Sequence, residues 1–302
     1  MLRSIFRRLT FGGSPELGAP VLWGNLRIHR FRSRVFRNTR FVRVWLPPGF
    51  DAHASRHYPV LYLNDGQNLF DPATAFAGVH WQVGETSTRL IAENRIPPLI
   101  IVGIDNTGKN RVREYIPYSS RDPKLLHPLG ACYPEFLRGE LMPLIEQQYP
   151  ILTGPDNTGL GGSSLGGLIV LYTTMLTPDV FGRVLIESPS LFVANRRILQ
   201  QCRGLKRWPS RVYLGIGTQE LGTPEKNANT VADVRELAAI LGEAGLDEKR
   251  LCVRIQEGAP HSESAWAARF PEALEFLYGP TAAIHSPSVA SGTESPPAAE
   301  TV

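Results

Sequence analysis

Gly161-Gly162-Ser163-Ser164-Leu165-Gly166-Gly167 decides how the rest of this chain reads. Within it, Gly162-x-Ser164-x-Gly166 sets one serine between two glycines. This is the pattern of a sharp strand-to-helix turn that lifts a serine hydroxyl clear of the backbone. The turn brings backbone segments closer than a Cβ allows, hence a glycine on either flank. Leu165 fixes the frame, because Ser163 would need a glycine at that position. On its own the pattern is short and built of common loop residues, so its weight rests on its surroundings.

Working outward, Leu165–Leu176 has the apolar density of a helix, and about 157–162 should be the strand that feeds the turn. That strand is poor by propensity, since Thr158 is its one β-branched residue. Its glycines suit a strand on which neighbours pack tightly. Upstream, Tyr58–Leu63 and Leu99–Ile104 are short apolar runs, as strands buried on both faces should be. Residues 81–94 and 133–148 lie near them with helical spacing, the second through Phe136, Leu137, Leu141, Leu144 and Ile145. Two further strands are expected between Gly24 and Leu46, where Val42, Val44 and Leu46 alternate with Phe41, Arg43 and Trp45, before Pro47-Pro48-Gly49 ends them. Downstream come strands at Val184–Glu187, Val212–Ile216 and Leu251–Ile255, with helices at 229–244 and 264–278. Strand and helix in alternation imply an α/β fold, a mostly parallel central sheet with helices on both faces. Its reactive loops gather at the carboxyl ends of the strands.

The 302 residues are 42% hydrophobic and 20% charged, which suits one large globular domain. We expect a basic, loosely ordered leader over 1–20, the folded domain over 21–280 and a disordered Ser/Pro/Ala-rich tail over 281–302. No apolar run is long enough for a transmembrane segment. Cys132, Cys202 and Cys252 are too scattered for a metal motif or a disulfide framework, and with no secretory signal the expected compartment is cytoplasmic. Charge is uneven: residues 1–45 hold ten arginines against the single acid Glu16, whereas the whole chain is only +4. That excess suits an anionic membrane or nucleic acid, but solvated arginines blunting a sheet edge account for it more simply. No nucleic-acid partner is therefore expected.

A serine hydroxyl is a weak nucleophile at neutral pH and needs a base, itself oriented by an acid. After such a turn the partners follow in the order Ser, acid, His. Of seven histidines only His261 and His285 follow Ser164, and His285 falls in the tail. His261 comes just after the last strand, in Gly258-Ala259-Pro260-His261, which reads as a loop. Glu220 follows the preceding strand and is the expected acid. Asp233 is the alternative, placed within a helical repeat. For a developing oxyanion, position favours two backbone N–H groups, those of Leu165 and Gln67. Trp81 and Trp266 either line a substrate pocket or belong to the core. Asp65, Asp71, Asp105 and Glu114 match no metal-binding spacing, so no metal and no other cofactor are expected. Arg111 and Glu114 are read as pairing or bracing loops.

Five segments in order, LYLNDGQNLFD (61–71), VGIDN with RVREY (102–106 and 111–115), GLGGSSLGGL (159–168), VYLGIGTQE (212–220) and HSESAW (261–266), resemble an esterase family of α/β hydrolases. The family includes enterochelin esterase-like enzymes, S-formylglutathione hydrolases, feruloyl and acetylxylan esterases, and mycolyltransferases. The resemblance covers about 25–280. It implies an α/β-hydrolase fold and a serine carboxylic ester hydrolase that works on a small-molecule ester through an acyl-enzyme. By position it puts the nucleophile at Ser164, the acid at Glu220 and the base at His261. Ala259-Pro260 stand where relatives often have Gly and Glu, a difference that bears on substrate choice. Acyl transfer to an alcohol by the same residues, and a non-catalytic binding module on the same fold, are the competing readings.

Overall fold

The computed structural model describes residues 14–52, 55–119 and 127–280. His285, the expected tail and most of the expected leader lie outside these residues. Among the described residues ten strands form one sheet: β1 (Glu16–Leu17), β2 (Val21–Trp23), β3 (Leu26–Ser33), β4 (Asn38–Trp45), β5 (Val60–Asn64), β6 (Ile100–Ile104), β7 (Thr158–Ser163), β8 (Arg183–Glu187), β9 (Arg211–Gln219) and β10 (Leu251–Pro260). The spatial order is β1-β3-β4-β6-β5-β7-β8-β9-β10, with β2 on β3. Pairing is antiparallel from β1 and β2 through β4 to β6 and parallel from β6 to β10.

The helices are α1 (Val83–Ala92), α2 (Arg111–Tyr115), α3 (Tyr133–Phe136), α4 (Met142–Gln148), α5 (Leu165–Leu176), α6 (Val193–Cys202), α7 (Pro224–Glu243) and α8 (Glu263–Tyr278). Strand alternation divides the core. Val60, Tyr62, Val102, Leu160, Val184 and Val212 pack with residues of α3 to α7 on one face. Leu61, Leu63, Ile101, Leu185 and Tyr213 pack with Val83, Leu90, Phe270, Leu274 and Leu277 of α1 and α8 on the other. This two-sided burial is why the central strands are continuous apolar runs.

The expected strands and helices are present, and β2 and α2 are additions to them. The glycines of β7 answer close packing: a Cβ at Gly159 would strike Tyr278, and one at Gly161 would lie 2.7 Å from Leu63. Helix α7 starts at Pro224, before the expected start at 229. Thr223 caps it, its hydroxyl accepting from the Lys226 amide at 3.3 Å, and Pro224 opens the first turn, so the start is written in capping residues. Helix α6 was not expected, and Ala194, Asn195 and Arg196 in its first turn have positive φ. Lastly, Glu16–Leu17, inside the stretch read as a loose leader, pairs with β3.

The arginines of β4 also differ from expectation. Arg40 and Arg43 are buried, not solvated, and pair with Glu114 (2.8 Å) and Asp105 (2.8 Å). Arg111 grips Asp65 with two hydrogen bonds of 2.8 Å, and Asp71 caps the Ala73 amide at 2.8 Å. Arg111 and Glu114 thus brace loops without pairing with each other. Three of the four carboxylates weighed as metal ligands are held by guanidinium groups. Among the described residues no group of His, Cys, Asp and Glu is placed to hold a metal, and no helix is long and apolar enough to cross a membrane.

Candidate active site

Ser164 stands between β7 and α5 at φ 58°, ψ −124°, a conformation costly for a residue with a side chain. Two contacts hold it there. Its N–H donates to the Glu187 carbonyl at 2.9 Å, and its own carbonyl accepts from the Ser190 amide at 3.1 Å. A Cβ at Gly162 would come within 2.9 Å of the Gly166 backbone, so the glycine requirement read in the sequence is a real close approach. The Ser164 hydroxyl lies 3.5 Å from Ser190 Oγ and is only part-buried.

Glu220 and His261 meet through strand pairing. Strand β9 runs on to Gln219, and β10 runs to Pro260, past a register shift between Gln256 and Pro260. Residues 258–260, expected as a loop, are therefore strand. Because Gln219 pairs with Pro260, the next residue on each strand lies beside the other, and Glu220 Oε2 is hydrogen-bonded to His261 Nδ1. Asp233 is elsewhere, in α7, where it pairs with Arg196 at 2.6 Å.

The other Glu220 oxygen, Oε1, accepts from the Gly217 amide at 2.7 Å and from Ser188 Oγ at 2.8 Å. Burial works against ionisation of this carboxyl. Hydrogen bonds from His261, Gly217 and Ser188, with attraction to His261, outweigh it and hold the group below the ordinary glutamate value. A carboxylate on Nδ1 makes that nitrogen the donor and leaves Nε2 as the acceptor, the tautomer a general base requires.

Ser188 went unnoticed in the sequence, where Glu187-Ser188-Pro189-Ser190 is only a polar turn after a strand. Its hydroxyl accepts from Trp266 Nε1 at 2.9 Å and so must give its own proton to Glu220. The 188–190 turn therefore joins the two halves of the site: Ser188 holds Glu220, and Ser190 holds the Ser164 backbone. Behind it, Arg269 donates to Glu187 Oε2 at 3.0 and 2.7 Å. Burial pushes the Glu187 carboxyl up to about 7, against the pull of Arg269.

Trp266 also sets its ring edge-on to His261, with centroids 5.0 Å apart. Trp81 packs on Trp266 and Phe270. At 3% and 5% exposure, Trp81 and Trp266 are core residues, and the pocket-lining expectation for them gives way to a supporting one. Across the turn, Asn64 Nδ2 donates to the Gly166 carbonyl at 3.1 Å, and a Cβ at Gly166 would lie 3.2 Å from Asp65. The end of β5 therefore abuts the start of α5. Gln67 follows in a short 3-10 turn, Gly66–Asn68, where its side chain accepts from the Asn106 amide at 3.1 Å.

The sequence matches the family described as "Putative esterase" over residues 33–277. It is 29% identical to the uncharacterized protein YbbA of Bacillus subtilis over 80% of this chain and 93% of that protein. It is 30% identical to an iron(III) salmochelin esterase of Escherichia coli over 80% of this chain, and the match spans 55% of the relative. The fold superposes on a BES protein from Bacillus cereus with a TM-score of 0.67, over 90% of this chain and 99% of that one, at 22% identity. That likeness is one of fold, the α/β-hydrolase fold.

Proposed function

Since the chain belongs to the esterase family and is an esterase, we propose that it cleaves carboxylic esters through an acyl-enzyme on Ser164, with His261 as base and Glu220 as orienting acid. The observation that carries this reading is the Glu220–His261 hydrogen bond. It lies at the same carboxyl end of the parallel strands as a serine held in a strained strand-to-helix turn, and the two are joined through residues 188–190.

The chemistry follows from the groups. Ser164 Oγ attacks the ester carbonyl carbon while His261 Nε2 takes its proton. Glu220 stabilises the imidazolium so formed without itself taking the proton. The carbonyl oxygen becomes an oxyanion, for which the N–H groups of Leu165, at the first turn of α5, and Gln67 are the proposed donors. Collapse expels the alcohol, protonated by His261. Water, deprotonated by His261, then attacks the acyl-Ser164 ester and releases the acid. Ser164 Oγ is not hydrogen-bonded to His261 in this structure, and the substrate complex is where that bond should tighten.

The salmochelin esterase relative makes siderophore esters one class to test, beside simple acyl and feruloyl esters. The experiment is labelling with a fluorophosphonate, followed by peptide mapping and a screen of p-nitrophenyl esters of rising chain length. Labelling confined to Ser164, lost in Ser164→Ala together with turnover, supports the reading. Turnover that survives in Ser164→Ala refutes it. Product analysis with an added alcohol separates hydrolysis from acyl transfer.

A further inference from the structure

We propose that one face of the sheet at its β2–β3–β4 end docks on an anionic lipid bilayer. Register defines this face. Val21 pairs with Ile28, Trp23 with Leu26, Arg30 with Phe41, and Arg32 with Thr39. Residues directly opposite across paired strands share a face, as do alternate residues along a strand. Val21, Trp23, Ile28, Arg30, Arg32 and Phe41 therefore project together. Leu26 and Trp45 lie on the same face and pack in the core with Val83 and Leu90 of α1. Ile28 packs against the same cluster and Arg43, opposite it, is buried; beyond them the cover ends, and Val21, Trp23 and Phe41 are 69%, 54% and 50% exposed, with Arg30 and Arg32 exposed beside them. On the opposite face β3 and β4 are covered, with Phe31, Val42 and Val44 packed in the core with Phe136 and Leu141, while Leu22 of β2 is 65% exposed there.

An antiparallel sheet with one free face normally puts polar residues on it. Here the free face carries an indole, a phenyl ring and a valine among guanidinium groups. That is the composition of the bilayer interface, where aromatic rings sit at headgroup depth and arginines bind phosphates. Charge selects the same partner. Of the ten arginines in residues 1–45, Arg40 and Arg43 pair internally with Glu114 and Asp105 and Arg32 pairs with Glu16 at 3.3 Å, and with Glu16 as its one acid the segment remains strongly basic. A second copy of the chain fits this face poorly, because a two-fold contact would press the arginine-rich surface against itself. In the sheet order these strands stand at the far end from β9 and β10, which lead into Glu220 and His261. A docked molecule would therefore keep its site open to substrate.

Trp23 supplies its own reporter. The other four indoles, Trp45, Trp81, Trp208 and Trp266, are all below 10% exposed. The full-length chain is mixed with vesicles of phosphatidylcholine, alone or with phosphatidylglycerol, carrying brominated acyl chains. Three results are expected: sedimentation with the phosphatidylglycerol vesicles only, bromine quenching of tryptophan emission that is lost in Trp23→Phe, and salt-sensitive binding. Arg30→Gln and Arg32→Gln should each lower the partition coefficient about fivefold. Val21→Ser/Trp23→Ser/Phe41→Ser should abolish binding while sparing hydrolysis of a soluble p-nitrophenyl ester, which shows that the variant folds. Failure to sediment with phosphatidylglycerol overturns the proposal. So does sedimentation without quenching of Trp23, or a dimer in vesicle-free buffer that the triple-serine variant dissolves. Tighter binding to duplex DNA than to the vesicles would assign the face to nucleic acid instead.

Discussion

Replacing Glu220 with glutamine changes one atom and one charge, and the structure says which way the new amide must turn. Oε1 accepts from Gly217 N–H, which can only donate, and from Ser188 Oγ, whose proton is committed because Trp266 Nε1 donates to it. The amide oxygen must stay at that position, so the amide nitrogen faces His261 Nδ1. Two donors would then oppose each other. The imidazole escapes by moving its proton to Nε2, the nitrogen that has to accept from Ser164. The variant therefore loses both the stabilising charge and the productive tautomer. Glu220→Gln should lower kcat by about 10²–10⁴, or about 2.7–5.4 kcal/mol of transition-state stabilisation, with little change in KM. Asp233→Asn is the control: its partner is Arg196 in another part of the fold, and it should change kcat by less than about threefold. Both variants are measured on one p-nitrophenyl ester, with circular dichroism to show that each is folded. A crippled Asp233→Asn beside a fully active Glu220→Gln would refute the reasoning.

Ser164→Ala should cut kcat by about 10⁴–10⁶ with the melting curve intact, while Ser163→Ala stays close to wild type; steady-state kinetics on the pair tests the frame of the turn. Gly162→Ala forces a Cβ to within 2.9 Å of the Gly166 backbone and should lower Tm by about 2–10 °C, from about 1–3 kcal/mol of overpacking. Gly242→Ala, in α7 with nothing within 4 Å of the new Cβ, should raise Tm by about 1–3 °C; calorimetry that found the two glycines equivalent would contradict the packing argument. Acid sensitivity follows from the lowered pKa of Glu220. Its stabilising contribution is complete above the unfolded value of 4.5 and drains away as pH falls through the lower folded value. The Tm difference between wild type and Glu220→Gln at pH 6 should accordingly shrink below pH 4.5, and a difference that grows on acidification would reverse the sign.

The sequence alone was enough for the class of fold and for choosing Ser164, Glu220 and His261 as the residues to propose. Strands such as Val60–Asn64 and Ile100–Ile104 are buried on both faces, so their apolar runs are unbroken and visible. Gly162 and Gly166 flank Ser164 because the turn leaves no room for side chains, and steric need of that kind is written locally. The order of Ser164, Glu220 and His261 along the chain follows from strands that come in sequence across the parallel sheet. What escaped the sequence depends on pairing between distant segments. The register of Gln219 with Pro260, which sets Glu220 beside His261, arises from a bulged extension of two strands, and no local pattern encodes it. Ser188 gains its place only when Trp266, 78 residues away, donates to it and fixes its proton on Glu220. Arg40 and Arg43 read as surface charge until Glu114 and Asp105 are brought against them in the core. The bare face carrying Trp23 and Phe41 is likewise a fact of layering. Strand alternation says which residues share a face, but whether a helix covers that face is decided only when α1 and α8 pack over its central strands and leave Val21, Trp23 and Phe41 exposed.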